Sequence, residues 1–223
     1  MQRSTTYICF LIVGLLLFSG STFAQQIKII EKPISFNAER IKLSIEYLKE
    51  RHGIVQTSPY IKPEMIVLHW TANMSVAGTF NTFNPTLLPA ARKGLAGASP
   101  LNVSSQYVID RDGTIYRLMP DSTFARHTIG LNHCAIGIEN IGDQKNPLTA
   151  AQLKANEQLI RYLKQKYNIQ YLIGHYEYLK FKGSSLWKET NPNYRTEKTD
   201  PGITFMKYIR ENVKDLALKG APK

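Results

Sequence analysis

The apolar positions of the chain change period along its length, and the changes lay out interspersed helices and strands. "FNAERIKLSIEYLKERHG" (36–53) carries apolar residues at helical spacing, with Ile41, Ile45 and Leu48 on one face and Gly53 as the stop. "EMIVLHW" (64–70) is short and continuously apolar, as a buried strand is. "GTFNTFNPTLLPAARKGLAGASP" (78–100) is rich in Gly, Pro, Asn and Ala and reads as loop with at most one helical turn. "SQYVIDRDGTIYRLMP" (105–120) is a hairpin pattern turning at Asp112-Gly113. "CAIGIENIG" (134–142) is a further strand. "LTAAQLKANEQLIRYLKQKY" (148–167) is a helix, with Thr149 and Gln152 at capping-box spacing and a stripe of Leu153, Leu159, Ile160, Leu163 and Tyr167. "IQYLIGHY" (169–176) is a strand running into a loop, and 180–199 is a long loop. "ITFMKYIRENVKDL" (203–216) closes the chain as a helix with Ile203, Met206, Ile209, Val213 and Leu216 in step. The pattern predicts one α/β domain, a mixed central sheet flanked by helices, with the strand order left open.

The first residues stand apart from that pattern. A basic Arg3, an apolar run from Tyr7 to Phe18 and the small-residue "TFA" read as a secretory signal peptide over 1–24, too short for a confident membrane span. The expectation is an exported protein, periplasmic or extracellular, with no transmembrane segment once the leader is cleaved. The formal charge of +11 survives loss of Arg3 almost intact. A basic exported chain suits an anionic partner, and no nucleic-acid motif is present. Cys9 falls in the leader and Cys134 stands alone after it, so no intrachain disulfide is possible in the cleaved chain.

Two histidines end apolar strands, His69 in "MIVLHW" and His175 in "YLIGHY". Strand ends are where side chains leave a core and face a cleft. Each His alone also fits a satisfied core residue. No H-E-x-x-H motif occurs, so any metal ligands come from separate elements. Asp200 in "EKTDPG" has two readings. It is either the N-cap of the last helix, with Pro201 at the first helical position, or a third ligand. Two imidazoles and a carboxylate would leave a zinc ion net positive with an open position, as hydrolysis requires. In an extended segment Lys198 and Asp200 point to the same side. Glu139 interrupts an apolar strand. Alternation puts Ile136, Ile138 and Asn140 on one face and Gly137, Glu139 and Ile141 on the other. Glu139 is then either an outward residue of a half-exposed strand or a working carboxylate. His127 fits a cleft or a plain loop position, His133 a structural or solvent-exposed one, and Cys134 the core. Trp187 and Tyr194 could stack on sugar rings or pin the long loop.

"MIVLHWTA", "VSSQYVIDRDGTIYRLMP", "ARHTIGLNHCAIGIENIG", "LIGHYEY" and "KTDPG", in this order and spacing over about 62–210, resemble the zinc-dependent N-acetylmuramoyl-L-alanine amidases. That group includes phage lysozyme-type amidases and peptidoglycan recognition proteins. The resemblance implies their fold over 61–216, preceded by a helical extension (25–60) and followed by a short tail (217–223). It implies one Zn²⁺ on His69, His175 and Asp200, with Glu139 as acid/base and Lys198 stabilising the oxyanion. His127, Trp70 and Asn132 become candidate substrate contacts. Ser105 stands where the phage branch has a catalytic Tyr, so Glu139 takes that role. Trp70 replaces a sugar-contacting Asn of some bacterial members. The implied reaction is hydrolysis of the amide between N-acetylmuramic acid and L-alanine, in peptidoglycan or muropeptide fragments, by a monomer. The alternatives are a peptidoglycan-binding module that does not cut, and a zinc peptidase acting within the stem peptide.

Overall fold

The computed structural model describes residues 27–90 and 97–223. The predicted leader lies outside them. Six strands, β1 (Ile29–Glu31), β2 (Met65–Trp70), β3 (Tyr107–Ile109), β4 (Ile115–Arg117), β5 (Ala135–Asn140) and β6 (Tyr171–Gly174), form one mixed sheet ordered β1-β4-β3-β5-β2-β6. Only β3 and β4 pair antiparallel; all other neighbours are parallel. The hairpin turns where expected, with Gly113 at a φ of +89° that an L side chain adopts only under strain.

β2 is an interior strand, between β5 and the edge strand β6. Its continuous apolar run is explained by burial on both faces. Ile66 and Leu68 join Ile136, Ile138 and Leu172 under two helices, α3 (Ala150–Lys166) and α4 (Ile203–Asn212). Met65 and Val67 face the other way, packing with Ile129, Leu131, Tyr178 and Phe181. The α3 capping box is present, Thr149 and Gln152 bonding reciprocally. No helix among the described residues is long and apolar enough to cross a membrane.

Four expectations are corrected. Residues 78–83, expected as loop, belong to a two-turn helix α2 (Val76–Phe83), started by Ser75 Oγ accepting from Gly78 N–H. The stripe of α1 (Ala38–His52) is rotated: Leu43, Tyr47 and Leu48 are buried with Arg40 and Ser44, whereas Ile41 and Ile45 only flank them. Both corrections have one cause. The Arg40 side chain is buried, and Nη2 donates to the carbonyls of Phe83, Asn84 and Pro85 at 2.9, 3.0 and 2.7 Å. A cation thus satisfies the orphan acceptors at the end of α2, and a charged residue occupies the inner face of α1. In the last helix, Ile203 is 75% exposed and Phe205 takes its place beside Met206 and Ile209. That helix ends at Asn212, and a 3-10 turn over Lys214–Leu216 follows. Finally, β6 runs not into open loop but into a seven-residue 3-10 helix, His175–Phe181.

α1 ends in a buried imidazole. His52 is 3% exposed and burial, with His133 at a ring-centroid distance of 5.3 Å, holds its pKa down to about 3. The unfolded chain takes that proton near 6.5, so it binds more protons than the native state across the window between. Stability therefore falls as pH drops below 6.5, by about 2 kcal/mol at pH 5 from this residue. Thermal melts from pH 7.5 to 5 should show a smaller loss for His52→Phe than for the parent chain; equal losses would remove His52 as the cause.

Candidate metal centre and its cleft

The C-terminal ends of β2, β5 and β6 open into a cleft of about 450 Å³. His69 is the fifth residue of β2, and Glu139 is its register partner on β5, so both side chains leave the same face. Asn140, on the opposite face, steadies this end. Its Nδ2 donates to the His69 carbonyl at 3.1 Å, and its Oδ1 accepts from Asn156 of α3 at 2.7 Å. His175 follows β6 directly. Asp200 comes from the turn before α4, where the Asp200-Pro201 bond is cis. The cap of α4 is Gly202 and receives no side-chain bond, so Asp200 is not the N-cap.

Three donor atoms converge. His69 Nδ1 and His175 Nδ1 are 2.9 Å apart, and Asp200 Oδ2 lies 3.1 and 3.0 Å from them. A tetrahedral zinc site with bonds of 2.0–2.1 Å separates its ligands by about 3.3 Å. The spacing therefore fits the ion, and among the described residues these three form the metal-capable cluster. The protonation states fit as well. Burial, then the neighbouring His69, hold His175 down to about 4 against the pull of Asp200. Burial works to raise the Asp200 carboxyl, but the two imidazoles, His175 foremost, keep it well below the usual range. At neutral pH His175 offers a lone pair and Asp200 an anion.

Lys198 and Asp200 both line the cleft. The Lys198 ammonium is near enough to disfavour charge on His175. Trp70 lines the cleft with its ring against Gly202, where an added Cβ would lie 3.4 Å from it. Asn132 is buried, and its Oδ1 accepts the His127 and Thr128 N–H groups at 2.9 and 2.6 Å, fixing that loop. Ser105 is buried and donates to the Tyr107 carbonyl; Ser104 lines the cleft in its stead. Cys134 is buried, its thiol pushed up to about 12 by burial, and His133 packs on His52. Trp187 stacks on Tyr178 and lies against Gly130, pinning the long loop, whereas Tyr194 reaches the cleft.

Sequence reasoning missed Tyr47 and Arg126. Tyr47 brings α1 into the cleft wall; Arg126 lies over its ring at 5.3 Å and donates to Tyr194 Oη at 3.0 Å. The i, i+4 pairing of Leu43 with Tyr47 was the available signal for the inner face of α1.

The fold and cleft define an α/β domain with a His-His-Asp donor set at the ends of a mixed sheet. Residues 59–203 match the N-acetylmuramoyl-L-alanine amidase family, and the chain belongs to it. Among solved structures, the N-acetylmuramoyl-L-alanine amidase LysC from Clostridium intestinale URNW is 22% identical. It superposes with a TM-score of 0.53, covering 86% of this chain and 99% of its own. The endolysin amidase LysCS from the same organism is 21% identical, with a TM-score of 0.50 over 86% and 97%. At these identities the likeness establishes the fold. No curated relative of significant similarity was found.

Proposed function

We propose that this protein hydrolyses the amide between the lactyl group of N-acetylmuramic acid and L-alanine, in peptidoglycan or its soluble fragments, with one zinc ion held by His69, His175 and Asp200. The observation that carries this reading is the convergence of three donor atoms within 3.1 Å in a cleft shared with Glu139 and Lys198. Zinc bound there would supply Lewis acidity, activating water near neutral pH and polarising the amide carbonyl.

The remaining chemistry belongs to the chain. Glu139 takes the proton from the attacking water and returns it to the leaving amine. Lys198 offers an ammonium to the developing oxyanion. Trp70 gives the sugar an apolar face, and Asn132 shapes the loop beside it. The net charge of +11 suits anionic wall polymer. The protein acts outside the cytoplasmic membrane, as a monomer, after removal of 1–24. Its working unit includes α1, because Tyr47 forms part of the wall.

Purified muropeptides incubated with the protein and analysed by mass spectrometry test the assignment. The expected products are a stem peptide with a free L-alanine amine and a sugar with a free lactyl carboxylate. Shortened stems would indicate a peptidase, and unaltered substrate a binding module; either result overturns the proposal. Lys198→Ala should keep zinc and melting temperature yet lose about 10²–10³-fold in kcat, since its charge matters most when the oxyanion forms. Steady-state kinetics with zinc analysis check this; parental kcat would remove Lys198 from the reaction.

A further inference from the structure

His127 does not simply line the cleft. Its Nε2 lies 3.2 Å from the Ala135 carbonyl, which can only accept, so Nε2 carries the proton. Nδ1 of the neutral ring then bears a lone pair. That lone pair faces His69 Nε2 at 3.1 Å and the Thr128 hydroxyl at 2.9 Å. His69 Nε2 is placed to donate to that lone pair, while Asp200 Oδ2, an acceptor 3.1 Å from His69 Nδ1, competes for the proton from the other side of the ring. The two rings meet edge to face at 87°, with centroids 5.1 Å apart. Thr128 Oγ1 is a more distant acceptor for the same His69 proton, at 3.4 Å.

The backbone is cut to fit this relay. Gly137 sits within β5, in ordinary strand conformation. A Cβ there would stand 2.8 Å from His127 Cγ and 2.9 Å from Cδ2, closer than carbon atoms pack. The glycine leaves room for the imidazole against the strand, where it reaches both Ala135 and His69.

We propose that His127 is a positioning residue that fixes His69 as its Nε2–H tautomer, presenting the Nδ1 lone pair to the metal. It acts through His69 rather than on the substrate. The inference rests on the metal-binding reading of the cleft but not on which bond is cut. Outer partners of metal-bound histidines typically contribute 10–100-fold to affinity by setting tautomer and ring orientation.

The test uses the full chain, free of substrate. Long-range ¹H–¹⁵N correlation spectra of the metal-free protein report the His69 tautomer, and competition with a chromophoric chelator reports zinc affinity. The parent should show His69 with a proton held on Nε2. His127→Leu should shift that proton toward Nδ1, where Asp200 accepts it, and bind zinc about 10–100-fold more weakly. His127→Gln should restore both readouts to near the parent, because its amide oxygen can accept from His69 while its nitrogen donates to Ala135. Gly137→Ala, which displaces the ring without altering it, should move both readouts in the direction of His127→Leu. Should His127→Leu fail to fold, the contrast between His127→Gln and Gly137→Ala decides. A merely structural role would lower melting temperatures while leaving tautomer and zinc affinity unchanged in folded variants, and that result overturns the proposal. Muropeptides left uncut by a protein that passes these tests would instead overturn the proposed reaction.

Discussion

Asp200→Ala should lose bound zinc, and muropeptide turnover should fall by at least about 10³-fold. The carboxylate is the one anion among the three donors, and its Oδ2 stands within 3.1 Å of both histidine nitrogens. Without it two neutral imidazoles remain, too few ligands for a stable site. Loss of the metal removes several kcal/mol of transition-state stabilisation, and each 1.36 kcal/mol is tenfold in rate. Zinc held by these donors would bind only the folded state, so it should raise the melting temperature of the parent and leave that of Asp200→Ala nearly unmoved. The alternative role of Asp200, helix capping, would cost about 1 kcal/mol of stability with zinc binding intact. The structure already removes it, since Gly202 occupies the cap. Zinc analysis and melts with and without added zinc check this; a variant with one full equivalent of zinc would show the ligand set to be wrong.

Glu139→Gln should keep zinc, keep its melting temperature and lose about 10²–10⁴ in kcat, the usual worth of a positioned proton carrier. Gln matches Glu in shape but cannot accept a proton from water at neutral pH. Glu139 lies across the register from His69 and lines the cleft without belonging to the donor cluster. Metal content and catalysis should therefore separate in this variant, whereas they fall together in Asp200→Ala. Turnover within tenfold of the parent would assign the proton transfer elsewhere.

The chain shows its site more plainly than it shows the walls of that site. His69 and His175 could be picked out because each closes an apolar run, and Glu139 because it interrupts one. These are local signals, and a parallel sheet brings such strand ends together. The third donor was legible only through the family resemblance: by itself "KTDPG" is equally a helix start until the turn before α4 carries Asp200 back beside β2 and β6. Helix α2 was hidden because "VAGTFNTF" has weak helical composition and its end is satisfied by Arg40, more than forty residues earlier. The same arginine, buried on α1, displaced the apparent apolar stripe. β1 is three residues long and gains its place by pairing with β4, which no local pattern announces. The roles of His127 and Gly137 lie in distances between strands, beyond any spacing along the chain.

The central claim is tested most directly by titrating zinc into chelator-stripped protein while muropeptide hydrolysis is followed. Turnover should be near background without metal and rise linearly to a plateau at one equivalent, with release of the free lactyl acid at every point. Full turnover by the metal-free protein, or none at one equivalent of zinc, would contradict it.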